Sequence, residues 1–180
     1  MALRKALAYS KKHARPYTRI SKAKSKAYIK VVPHNKVVKY TSGNVKAFNE
    51  GKYGFAIRLV ADEFVQIRDN ALEASRQFVT KFLDEKLPNS YYLELKVHPH
   101  HILRNNKTAA GAGADRLSSG MRHSFGVVEG RAAMVKSGKD IFVIHSENEQ
   151  TARIIRDALT MVKAKIPGRK SVRFEKAISA

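Results

Sequence analysis

Apolar and polar residues alternate along many short stretches of this chain, which is the spacing of a half-buried β-strand. These stretches are rich in Val, Ile, Tyr and Phe and are bounded by turn-forming residues. The alternation is strongest at 91–97, and short strand-like runs predict further strands at 28–33, 37–40, 55–60, 64–67, 127–128, 132–135, 140–144 and 171–174. Most of these connections are hairpin-like, so the sheet is predicted to be mainly antiparallel.

Two longer segments follow the period of an amphipathic helix. The first is predicted to begin with Asp69 as its cap and to stop before Pro88. The face that is predicted to be buried carries Leu72, Ser75, Phe78, Val79, Phe82 and Leu83. The face that is predicted to be solvated carries Glu73, Arg76, Gln77, Lys81 and Asp84.

The second helix is predicted to open with a capping box, in which Ser146 and Glu149 satisfy free backbone amides of the first turn. It is predicted to end at Pro167 and Gly168. Its apolar stripe carries Ala152, Ile155, Leu159 and Val162. Two helices and a mainly antiparallel sheet predict an α+β fold, built as a two-layer sandwich.

The length of 180 residues and the hydrophobic fraction of 43% suit one domain with an ordinary core. We predict a single α+β domain over residues 28–180. A basic arm over residues 1–27 is predicted to precede it, because its cations recur without helical or strand periodicity and it cannot fold alone. A long central loop over residues 101–126 is predicted to protrude from the domain.

The central loop is rich in glycine and in cations. Its glycines let the backbone approach a partner closely, and its arginines present planar forks that suit phosphate oxygens and guanine edges. The one acid in it, Asp115, lies beside Arg116, which indicates an ion pair that orders the turn. We interpret the loop as a probe held out into nucleic acid; the alternative is a surface hairpin tip without a partner.

The net charge further limits the class of partner that the chain is predicted to bind. The chain has 35 Lys and Arg against 15 Asp and Glu, a net charge of +20 and a pI near 10.3. Residues 1–49 hold 13 Lys and Arg and no acid, whereas residues 50–160 hold 16 against 14. Residues 161–180 hold 6 against 1. A nearly neutral body with two basic ends favours a polyanion, and nucleic acid first, as the partner.

The arm is predicted to bind RNA phosphates without sequence choice, because its cations displace condensed counterions. Tyr17 is a candidate for stacking on a base. The alternative is a tail that only increases solubility. The predicted RNA-binding residues of this segment are Arg4, Lys5, Lys11, Lys12, Arg15, Tyr17, Arg19, Lys22, Lys24, Lys26 and Lys30.

Other chemistries find little support in the sequence. The absence of cysteine excludes disulfides and thiol catalysis, and no segment approaches the ~18 apolar residues of a membrane span, so a cytosolic protein is predicted. His98, His100 and His101 resemble a metal cluster, but the nearest acid in sequence is Glu94. The glycines of the loop lack the spacing of a nucleotide-binding motif, and we predict no metal, no cofactor and no enzymatic activity.

Eight segments together resemble one protein family. They span residues 15–19, 28–33, 71–76, 98–101, 106–107, 112–117, 120–122 and 124–126. On these segments the chain resembles the large-ribosomal-subunit family called L-ten-e in archaea and eukaryotes and L-sixteen in bacteria. The resemblance covers nearly the whole chain and is most specific at residues 112–117 and 120–122.

The resemblance implies a place in the ribosome of the cytoplasm. It implies a sandwich docked on large-subunit rRNA near the peptidyl transferase centre and the aminoacyl-tRNA path, with tRNA, neighbouring ribosomal proteins and late assembly factors as further partners. The loop would then reach towards tRNA acceptor ends, through Arg104, Asn106, Lys107, Gly113, Asp115, Arg116, Gly120 and Arg122.

The chain departs from the family pattern at two places. Thr108 and Ala109 stand where a bulkier Met-Leu pair is expected, and residues 126–130 lack the usual lysine after the first glycine. Two other functions stay open on the residues alone. One is an RNA- or DNA-binding protein outside the ribosome, and the other is a small phosphate-ester enzyme whose site is the glycine loop.

Overall fold

The fold was analysed in a computed structural model, which describes Thr18 and residues 21–105, 120–123 and 125–176. The strands are β1 (Thr41–Gly43), β2 (Phe55–Ala61), β3 (Val65–Arg68), β4 (Tyr91–Leu95), β5 (His101–Asn105), β6 (Val127–Val135), β7 (Asp140–Ser146) and β8 (Lys170–Lys176). The α-helices are α1 (Val45–Asn49), α2 (Asp69–Lys86) and α3 (Glu149–Val162), and 3-10 turns span Gly120–His123 and Lys163–Lys165.

The strands form two antiparallel sheets. The larger sheet has the order β1-β4-β7-β2-β8, and the smaller has the order β3-β6-β5. Helices α2 and α3 pack against each other and against the sheets, and their apolar faces share one core with β2, β4 and β7. The α+β class with two longer helices is therefore confirmed, with the strands divided between two sheets.

The segment between the arm and β1 was predicted as two strands, at 28–33 and 37–40, and neither is present. The backbone amides of Lys36 and Val38 instead donate to the carboxylates of Asp69 and Glu73 on α2, at 3.2 and 3.3 Å. Arg131 Nε donates to the Pro33 carbonyl at 2.6 Å. Side chains thus hold most of this segment on the body, and only its last residue, Tyr40, accepts from a strand, through the Leu95 amide of β4.

The same contacts correct the predicted solvated face of α2. Glu73 and Arg76 are buried, because the Glu73 carboxylate accepts from the Val38 amide while Arg76 Nε and Nη2 donate to its two oxygens at 3.0 and 2.5 Å. Asp69 is the first residue of α2 and Arg68 is its cap. The Asp69 carboxylate accepts hydrogen bonds from the backbone amides of Asn70 and Lys36.

The start of α3 also differs from the prediction. Ser146 is the last residue of β7, where it lies opposite Phe55 and Tyr91 in the sheet, so it is held in an extended conformation. Asn148 is the cap, and its amide donates to the Thr151 hydroxyl at 3.3 Å. Helix α3 therefore begins at Glu149 without the Ser146–Glu149 capping box.

Replacing Gly43 by Ala is expected to destabilise the fold by about 2–4 kcal/mol, measured by urea denaturation. Gly43 has a φ of +90°, and a Cβ atom there would lie 2.3 Å from the backbone oxygen of Tyr91, to which the Asn44 amide donates. Gly51 is the matched control, since it has a φ of +72° with no atom within 4 Å of the added carbon. Gly51→Ala should cost only about 1 kcal/mol, and equal costs would contradict the close contact.

Candidate nucleic-acid interface

The central loop is carried by a hairpin of β5 and β6. The two strands are paired from His101 with Ala132 to Asn105 with Val127. A register shift after Leu103 leaves Glu129 as an extra residue on β6, and such a bulge increases the local twist of a hairpin. Residues 101–105, predicted as the beginning of the loop, are therefore strand.

Polar contacts fix the end of this hairpin. Asn105 Nδ2 donates to Glu129 Oε1 at 3.2 Å, so the extra residue of the bulge is bonded back to β5. On the returning side, the 3-10 turn Gly120–His123 begins with Gly120 at a φ of +55°, and Met121 and Arg122 are exposed. Strand β5 thus precedes residues 106–119, and this turn follows them.

A stack of three side chains joins the hairpin end to the N-terminal segment. The ring of Tyr28 stacks on that of Phe125, with centroids 5.6 Å apart and planes at 23°. The guanidinium of Arg104 lies 4.3 Å from the Phe125 centroid, and Arg104 Nη1 donates to the Phe125 carbonyl at 3.5 Å. Arg104, predicted to face tRNA, thus supports the base of the loop.

The described part of the arm forms a turn that presents lysines. The amide of Lys26 donates to the Ala23 carbonyl at 3.2 Å, and the ammonium of Lys30 donates to the carbonyls of Ser25 and Lys24. Lys30 therefore orders this turn. The exposed cations of the segment are Lys22, Lys24, Lys26 and Lys30.

The predicted boundary between the arm and the domain, at residue 27, lies within a segment that packs on the body. Ala27 and Ile29 are each 1% exposed, whereas Tyr28, between them, is 69% exposed. Two buried neighbours fix the direction of the Tyr28 side chain, because successive residues of an extended chain point to opposite sides. The segment 21–31, which carries the lysines and Tyr28, therefore packs on the body through Ala27 and Ile29.

The histidines contact aromatic rings. His98 stacks on Tyr40 with centroids 5.1 Å apart, and His98 and His100 lie 4.2 Å apart between centroids. Burial, and then the nearby His100 and Arg131, lower the pKa of His98, which favours its neutral form. Within the described ranges, no group of three or more histidines and acids is arranged to hold a metal.

The remaining predicted contacts lie outside the described residues. They are Arg4, Lys5, Lys11, Lys12, Arg15, Tyr17, Arg19, Asn106, Lys107, Gly113, Asp115 and Arg116. Tyr28 and Phe125 were not among the predicted site residues, although their rings join the N-terminal segment to the hairpin. The alternation of residues 27–30 is a signal that could have separated Tyr28 from its buried neighbours.

The arrangement can bind phosphates and stack on bases. Exposed ammonium and guanidinium groups neutralise phosphates, while an exposed aromatic ring offers a face to an unpaired base. No helix in the described part of the chain is long and apolar enough to cross a bilayer.

Comparison with known proteins gives one consistent result. The model of the family described as ribosomal protein L16p/L10e matches residues 12–173. The chain is 42% identical to large ribosomal subunit protein uL16 of Methanococcus maripaludis strain S2, over 93% of this chain and 91% of the relative. It is 40% identical to uL16 of Staphylothermus marinus and 39% identical to that of Pyrobaculum calidifontis, in both cases over 93% of this chain and 90% of the relative.

Proposed function

Because this chain belongs to the ribosomal protein L16p/L10e family, whose members are structural components of the large ribosomal subunit, we propose that it binds large-subunit rRNA through its basic segment and hairpin. The proposed site lies near the peptidyl transferase centre and the aminoacyl-tRNA path. As a member of this family the protein works in the cytoplasm, within the ribosome.

The observation that carries the proposal is the contact between the two basic parts of the chain. Tyr28 follows the lysine-bearing turn, and Phe125 closes the central loop, and their rings stack. The arm and the loop therefore start from one place on the body. Phosphate contacts by the arm would set orientation, and the rigid hairpin would hold the loop base.

The loop is the part proposed to approach tRNA. Residues 106–119 follow β5, whose last residue is bonded to Glu129, so the loop is presented from a fixed platform. We propose that Arg116 and Arg122 contact phosphate or base edges there, because a desolvated charge-assisted contact is stronger than one made by a solvated lysine. Late assembly factors would meet the same end of the protein.

Replacing Arg116 and Arg122 together by Ala should leave docking on the subunit nearly intact, because the arm and the body still hold the rRNA. Peptide bond formation with full-length aminoacyl-tRNA, or the final maturation of the subunit, should slow by at least about tenfold, because each of the two lost charge-assisted contacts is worth about 1.5–3 kcal/mol. Occupancy is measured by sedimentation, and the rate is measured on the same particles.

The matched control replaces Arg153 and Arg156 of α3, two exposed arginines that lie outside the proposed interface. This variant loses the same charge and should keep both occupancy and rate. If the loop variant instead loses occupancy while the particles that retain it work at the normal rate, the loop anchors the protein and does not contact tRNA.

A further inference from the structure

We propose that Tyr28 is a stacking site for an unpaired nucleobase of large-subunit rRNA. The proposal rests on the rRNA binding proposed above and adds a specific contact to it. Stacking between a base and an aromatic ring tolerates any base, because every base has a π face. Tyr28 would therefore add affinity for single-stranded RNA over a duplex of the same charge.

The exposure of Tyr28 is unusual for an aromatic ring that is held in place. The residue is 69% exposed, although the ring packs on Phe125. The Phe125 ring lies against the Tyr28 ring, and most of the Tyr28 surface is nevertheless left in water. A tyrosine whose only role was to cover Phe125 would leave less of its own surface in water, because burial of apolar area is what such a contact gains.

Contacts of the neighbouring residues also hold the Tyr28 ring in place. Phe125 is itself in contact with the Arg104 guanidinium at 4.3 Å, and Arg104 belongs to strand β5. Ala27 and Ile29, the neighbours of Tyr28, are buried. An incoming base would therefore complete a stack that is already ordered, and little side-chain entropy would be lost on binding.

The charge around Tyr28 favours RNA over a protein partner. Lys24 and Lys26 are exposed in the turn that precedes it, and residues 1–49 hold no acid. A base on Tyr28 would bring its phosphates near these lysines. An apolar protein surface would have to desolvate the same lysines without compensation, which costs free energy.

The test uses the full-length protein and short single-stranded RNA that carries a fluorescent purine analogue. Tyr28→Ala should weaken binding about tenfold and remove the stacking-dependent change in fluorescence, whereas Tyr28→Phe should retain both. An RNA backbone of the same length in which every nucleotide is abasic keeps the phosphates but offers no base, and it should bind wild type and Tyr28→Ala equally.

The matched control is Val31→Ala, an exposed residue of the same segment, which should bind as wild type does. Circular dichroism establishes that each variant is folded. If Tyr28→Ala binds the fluorescent RNA as tightly as wild type, Tyr28 does not stack on a base. If wild type binds neither this RNA nor large-subunit rRNA, the proposed function itself fails. If large subunits that carry Tyr28→Ala lose contacts between this protein and neighbouring ribosomal proteins while its binding to RNA is unchanged, the partner of Tyr28 is a protein and the stacking site is wrong.

Discussion

Removal of residues 1–20 will make the slope of the log association constant for large-subunit rRNA against log salt concentration shallower by about 4–5 units. The deleted segment carries the cations Arg4, Lys5, Lys11, Lys12, Arg15 and Arg19. Each phosphate contact adds roughly 0.7 to 0.9 to this slope, and the estimate supposes that each deleted cation makes one contact. Binding at low salt should then fall by several orders of magnitude.

The boundary at residue 20 follows from the structure. A deletion to residue 27 would also remove Ala27, which is buried, and the carbonyls that hold Lys30, so a loss of binding would mix charge with folding. The control is a full-length chain in which the same six cations are replaced by Gln. It should reproduce the truncation; equal slopes for wild type and both variants would contradict an RNA-binding arm.

Glu73→Ala will lower the free energy of unfolding by about 3–5 kcal/mol, the cost of breaking a buried ion pair. The Glu73 and Arg76 side chains are both 10% exposed. Without the carboxylate, Arg76 keeps a buried charge and the Val38 amide loses its acceptor. The segment that joins the arm to the body should then exchange its amides faster.

The size of this effect is checked by denaturant unfolding against Arg153→Ala, which breaks an exposed pair with Glu149 and should cost less than about 1 kcal/mol. The double variant Glu73→Ala with Arg76→Ala should lose less than the sum of the single variants, because no charge is left buried and unpaired. Additive losses would show that the two side chains do not stabilise each other.

The same pair predicts how stability depends on pH. Hydrogen bonds from Arg76 lower the pKa of Glu73 more than burial raises it, and the Val38 amide lowers it further. A lowered folded-state pKa gives stability that is present above the ordinary glutamate pKa of about 4.3 and is lost as pH falls through the folded value. Glu73→Gln should therefore show a shallower loss of stability in acid.

Local periodicity predicted the elements whose burial is set by their own faces. The apolar spacing of α2 and α3 and the apolar residues of β2, β4 and β7 correspond to the observed core. The segment 28–40 was mispredicted because its hydrogen-bond partners, Asp69 and Glu73, lie on a helix that is distant in sequence. Alternation alone does not distinguish a strand from an extended segment held by side chains.

The glycines and cations of residues 101–126 predicted a loop in this part of the chain. They did not predict the contacts of the residues at its base. Tyr28 and Phe125 are far apart in sequence, and their contact depends on how the N-terminal segment packs on the hairpin, where Arg131 of β6 also donates to the Pro33 carbonyl. Arg104 was assigned to the loop as a cation within the segment 101–126. Its contact with Phe125 gives it a supporting role that charge does not reveal.

A density map of the large ribosomal subunit that contains this chain is the most direct measurement of where it binds. We expect residues 21–31 and the end of the β5–β6 hairpin to lie against rRNA, with an unpaired base on Tyr28 and residues 106–119 directed towards the tRNA acceptor ends. A map in which this end of the protein faces solvent, while the β8 edge contacts the RNA, would contradict the proposed interface.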